Sequence, residues 1–138
     1  SGATPRRAVV GWDSGRLAML LAVLESRCGL NFSAAEVYLN VSGGYRLADP
    51  AADLAVAAAL ISALADKPLP LRSAFFGEVS LAGEVRPVAH AGLRLREAAK
   101  LGFERACGPE DIGETPRGLR YDGLDRLPKL VDRIMAGA

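Results

Sequence analysis

The carboxylates of Asp49 and Asp53 stand four residues apart in LADPAADLAVAAAL (47–60), a spacing that puts both on one face of a helix. Two acids so placed can ligate a cation, or they can serve the helix itself. In the second reading Asp49 is the N-cap and Asp53 a first-turn acid set against the positive end of the helix dipole. Pro50 favours that reading, because proline suits the first helical position. A helix start also displays unpaired N–H groups, which attract anions and reactive groups. Here the first turn holds Ala51 and Ala52, whose methyl groups neither attack nor donate.

Other candidate chemistry is sparse. The chain has one histidine, His90, so a Ser-His-Asp arrangement would have to pass through it. Its place beside a predicted helix start fits a cap or surface residue better. There is no Walker-type phosphate loop, no GxSxG elbow and no HExxH pair. Gly43-Gly44 is an ordinary turn pair. Cys28 and Cys107 lie far apart without CxxC spacing, which indicates neither a zinc site nor a redox pair. They read as small buried hydrophobes of a reducing, cytoplasmic compartment.

The elements that must position these residues follow from periodicity. AVVGWD (8–13) predicts a strand, and Asp13–Ser14 caps a helix carrying Leu17, Leu20, Leu21, Leu24 and Cys28, stopped by Gly29. EVYLNV (36–41) alternates as a strand does, and the Asp49 helix runs to about Ala65. SAFFGEVSL (73–81) and GEVRPV (83–88) predict two tightly joined strands. A helix over His90–Leu101 ends at Gly102, FERACG (103–108) adds a strand, and residues 109–118 read as a loop. GLRY (118–121) predicts an edge strand, and a last amphipathic helix carries Leu127, Leu130, Val131, Ile134 and Met135. The fold class is α/β or α+β, with small mixed sheets and about four helices.

Half of the 138 residues are apolar and the net charge is +1, which describes one ordinary domain without a global pull toward nucleic acid or membrane. SGATPRR (1–7) has no apolar period and reads as a linker remnant, leaving 8–138 as the domain, expected to be a piece of a longer protein. The apolar run 51–65 is shorter than the roughly 18–20 residues a membrane span needs. Arg86, Arg94, Arg96, Lys100 and Arg105 fall close together, with Glu84, Glu97 and Glu104 between them. Arg96 and Lys100 share a helix face.

Three stretches together, LNVSGGYRLADPAADLAVAAALISALADKPLP, FFGEVSLAGEVRPV and LREAAKLGF, resemble the proteolytic domain of Lon-type proteases. They resemble still more closely the Lon-like C-terminal domain of the bacterial RadA family of DNA repair and recombination proteins. The resemblance covers residues 5–108 and leaves 109–123 unplaced. Active Lon-type domains carry a nucleophilic serine in a Gly-Pro-Ser-Ala-Gly turn and a lysine partner. Laid without gaps, that pattern puts the serine on Ala51, the two glycines on Asp49 and Asp53, and the lysine on Arg94.

Alanine has no hydroxyl, and arginine stays protonated in a protein, so neither half of a Ser-Lys dyad survives. The resemblance therefore implies a degenerate, non-catalytic site. Arg94 either pairs with Asp49 or Asp53 as a structural ion pair or points to solvent. The resemblance further implies an oligomer scaffold that offers DNA a basic surface, and the local charge makes Arg86, Arg94, Arg96 and Lys100 the candidate contacts. The parent would be a hexameric, DNA-dependent ATPase acting on single-stranded or branched DNA, with a recombinase partner and no membrane. ATP, Mg and Zn belong to parts of the parent outside this chain. The alternative is a retired protease whose open strand edges, in EVYLNV or GEVRPV, bind an extended peptide.

Overall fold

The computed structural model describes residues 5–137; positions 1–4 of the expected linker and Ala138 lie outside the described residues. The chain opens with a strand, β1 (Arg7–Val10), and a helix, α1 (Ser14–Cys28). Asp13 caps α1 by accepting from the Arg16 N–H at 2.8 Å, and Gly29 closes it in the left-handed region at φ 70°. β2 (Val37–Asn40) pairs in parallel with β1. Arg7, expected in the linker, begins β1 instead, and its guanidinium donates to the Phe32 carbonyl at 2.8 Å.

A single 3-10 turn, Pro50–Ala52, leads into α2 (Asp53–Ala65). The predicted strand 73–81 is two short strands in different sheets: β3 (Ser73–Phe75) and β4 (Glu78–Val79). Gly77 makes the break. Its φ of 151° disfavours a side chain, and a Cβ there would meet Val85 Cγ1 at 3.1 Å. β4 pairs antiparallel with β5 (Val85–Arg86), as the tight connection predicts.

After α3 (Ala91–Lys100), β6 (Arg105–Pro109) lies between β3 and β7 (Arg120–Leu124) in an all-parallel sheet. β7 is an edge, as GLRY predicts, and α4 (Leu127–Ala136) completes the chain. Mixed strands with four α-helices place the protein in the α/β class expected of it. No helix among the described residues is long and apolar enough to cross a membrane.

Side chains alternate across the β3-β6-β7 sheet and split the core in two. Cys107 faces the main cluster, built by Leu20 and Leu24 of α1, Leu54 and Ile61 of α2, and Leu127 and Leu130 of α4. Ala106 faces the other side, where Leu95 of α3, Phe76 and Leu119 form a smaller cluster. Each fully buried leucine is worth about 1.5–3 kcal/mol, so the three-helix layer fixes the start of α2, where the candidate site lies.

Candidate functional site: the start of α2

Every backbone donor at this helix start has a partner. Asp49 Oδ1 accepts from the Ala51 N–H at 3.0 Å, and the Asp49 carbonyl accepts from Ala52 at 3.0 Å. Pro50 has no N–H, and its carbonyl accepts from Asp53. The Leu54 N–H donates to the Gly77 carbonyl at 3.0 Å, while Gly77 N–H donates back to the Ala51 carbonyl at 2.8 Å. The segment after β3 therefore lies against the turn as an added strand would. Ala51, the nucleophile's place in the Lon-type pattern, is 3% exposed. A helix N-terminus binds an anion or an oxyanion through free N–H groups, and this one has none to offer from Pro50 through Leu54.

Arg94 and Asp49 come together. Arg94 Nη2 donates to Asp49 Oδ2 at 2.9 Å, and its Nε donates to the Ala89 carbonyl at 2.9 Å. The side chains remain 31% and 44% exposed, so the pair adds at most about 1 kcal/mol. The Ala51 N–H, and then Arg94, hold the Asp49 carboxyl below the usual carboxylate range. His90, whose left-handed backbone (φ 64°) precedes α3, is exposed and makes no side-chain cap.

Asp53 turns away from Arg94 and is fully buried. It receives Arg16 of α1: Nε donates to Oδ1 at 2.5 Å, and Nη2 bonds Oδ2. The Val79 N–H of β4 also donates to Oδ2, at 3.0 Å. The hydrogen bond to Asp53 raises the Arg16 pKa above its already high value. This fork joins α1, α2 and β4 at one point. Sequence reasoning missed Arg16; its only signal is a cation in the first turn of a helix, where the dipole disfavours it.

The remaining basic residues are dispersed. Arg96 and Lys100 lie one turn apart on the exposed surface of α3. Arg86 of β5 is exposed and pairs with Glu84 at 3.2 Å. Here the fold adds two arginines that the sequence did not single out. Glu84 bridges antiparallel to Arg126, so Arg126 shares the face of Glu84 and Arg86. Gly83 packs on α1, where an added Cβ would touch Arg27 Cβ at 3.2 Å. Arg86 and Arg126 are thus neighbours on one face, while Arg27 of α1 packs behind the turn at Gly83. Arg27 and Arg126 are exposed and in no ion pair among the described residues.

A family model described as subunit ChlI of Mg-chelatase matches residues 16–111. The DNA repair protein RadA of Brucella abortus is 58% identical over 135 residues, covering 96% of this chain and 29% of its own length. That of Rickettsia bellii is 61% identical over 136 residues, covering 98% and 29%. That of Mycolicibacterium smegmatis is 46% identical over 130 residues, covering 94% and 28%. These matches run past Gly108, through the segment the resemblance had left unplaced, and the chain spans under a third of the length of the relatives it matches. The chain belongs to the ChlI family, and over nearly its whole length it is similar to part of the DNA repair protein RadA of several bacteria.

Proposed function

We propose that this chain is a non-catalytic Lon-like domain of a RadA-type DNA repair and recombination protein. Its job is to hold an oligomer together and to present a basic surface to DNA. One observation carries the non-catalytic part: a buried alanine stands in the nucleophile's place, in a turn whose N–H groups are all hydrogen-bonded within the fold. A hydroxyl added there has no base, because Arg94 stays charged beside Asp49. The site works as a clamp between α2 and α3.

The DNA-contacting part rests on exposed arginines. Arg86 with Arg126 beside the β4–β5 turn forms one candidate surface, and Arg96 with Lys100 on α3 another. Arg94 contributes least, since Asp49 already holds it. Contacts of this kind go to phosphates, so binding is blind to sequence and weakens steeply with salt. Single-stranded or branched DNA is the proposed substrate of a cytoplasmic parent assembled as a hexamer beside a recombinase. The parent's ATPase, with its ATP, Mg and Zn, lies in segments beyond this chain.

Sedimentation velocity with a labelled single-stranded oligonucleotide at low and near-physiological salt tests the proposal. Co-sedimentation at low salt that falls away at higher salt supports it. Free chain beside free DNA at both salts removes DNA contact from this domain.

A second reading has its own observation. β1 and β2 form a two-stranded sheet with open outer edges, and the outer edge of β2 borders a groove lined by Leu39, Leu60, Ala63 and Leu64. An extended peptide adding to that edge would bind with little salt dependence, which separates it from the DNA reading.

A further inference from the structure

The β3-β6-β7 sheet gathers another basic cluster, which the proposed function does not use. Ser73, Arg105 and Arg120 are register partners on three parallel strands, so their side chains leave one face of the sheet in a row. Like charges directly opposite on neighbouring strands repel. Neither Arg105 nor Arg120 is in an ion pair among the described residues.

The same face is covered by α4, which adds Arg133. Arg133 Nη1 is buried without a hydrogen-bond partner; it lies 3.5 Å from Asp122 Oδ1 but out of bonding alignment. Arg105, Arg133, Asp122 and Ser73 line one cavity of about 40 Å³, with Phe75 and Cys107 in its wall. One water needs roughly 10–15 Å³, so the space admits a group of a few heavy atoms and excludes a nucleoside. The Ser73 hydroxyl is committed to the Pro70 carbonyl at 2.5 Å, which leaves the guanidinium groups as the donors.

We infer that this cavity binds a single phosphate group between Arg105 and Arg133. Arg133 Nη1 supplies the donor that no protein acceptor takes, and a bound anion offsets the two positive charges, Arg105 and Arg133, that line the cavity. Two guanidiniums, Arg105 and Arg133, line the cavity with one carboxylate, Asp122, so the balance of charge favours an anion. The guanidinium fork matches the oxygen spacing of phosphate, which a halide cannot exploit. Free orthophosphate and the terminal phosphate of a short oligonucleotide share this chemistry.

The test is calorimetric titration and thermal melting of the 138-residue chain with sodium phosphate, at ionic strength fixed with sodium chloride. One saturable site per chain and a melting temperature that rises with occupancy are expected. Arg105→Gln and Arg133→Gln should each weaken binding at least tenfold, whereas Arg46→Gln, at an exposed site paired with Asp13, should leave it unchanged. Should Arg133→Gln fail to fold, the half-buried Arg105 carries the comparison alone. A 5′-phosphorylated trinucleotide that competes with phosphate assigns the site to nucleic-acid ends; binding of phosphate without such competition assigns it to the free ion. No saturable effect at fixed ionic strength, or binding undiminished by Arg105→Gln, overturns the inference.

Discussion

Arg16 lays its guanidinium across the Asp53 carboxylate, with Nε 2.5 Å from Oδ1, and so ties the first turn of α1 to the first turn of α2. The two ends of this pair differ in exposure. Asp53 is fully buried, while the Arg16 side chain is 30% exposed. Removing either partner therefore has unequal consequences.

Arg16→Gln strands a buried carboxylate and should cost about 3–5 kcal/mol, the range for breaking a buried pair. Asp53→Asn leaves Arg16 free to turn toward water and keeps an oxygen for the Val79 N–H, so about 1–3 kcal/mol is expected. Urea denaturation of both variants measures the difference. Losses below about 1 kcal/mol in both variants would mean that the pair contributes no more than a surface contact.

Asp49→Ala removes the cap on the Ala51 N–H and should lower stability by roughly 0.5–2 kcal/mol. The Asp49 pKa is depressed in the folded state, so its contribution is whole above the ordinary aspartate value of about 3.9. It is lost as pH falls through the lower folded-state value. Melting temperatures of the wild type and Asp49→Ala should therefore differ near neutral pH and converge in acid. A gap that stays constant down to pH 2 would deny Asp49 this role.

Ala51→Ser should show no peptidase activity, and neither should Ala51→Ser combined with Arg94→Lys. In the double variant the lysine faces Asp49, whose carboxylate keeps an ammonium protonated and useless as a base. Incubation with a serine-reactive probe and a casein substrate reads both outcomes. Labelling or turnover by the single variant would show that another base reaches residue 51.

Much of this site is legible in the sequence. Asp49 and Pro50 announce the helix start, and Gly29 and Gly102 close their helices in the left-handed region, because these signals are local to a few residues. The Arg94–Asp49 contact spans 45 residues, and only the register of a family pattern suggested that the two could be close. The Arg16–Asp53 pair spans 37 residues with no such guide, so the burial of Asp53 among α1, α2 and β4 could not be read. The break at Gly77 escaped notice because SAFFGEVSL alternates like one strand. The interruption comes from the Phe76 N–H bonding Cys107 and the Gly77 N–H turning to Ala51, both tertiary contacts. Arg126 lies 40 residues beyond Arg86 in sequence, and the Glu84–Arg126 bridge alone makes them neighbours.

The salt dependence of DNA affinity, compared between the wild type and an Arg86→Gln, Arg126→Gln variant, tests the proposed role most directly. Equilibrium binding of a labelled single-stranded oligonucleotide across a salt series gives the slope of log affinity against log salt. The wild type should weaken steeply, and the double variant should bind more weakly with a slope shallower by about 1–2, as expected when one or two phosphate contacts are lost. Affinity and slope unchanged by the two substitutions would contradict a DNA-contacting surface at the β4–β5 turn.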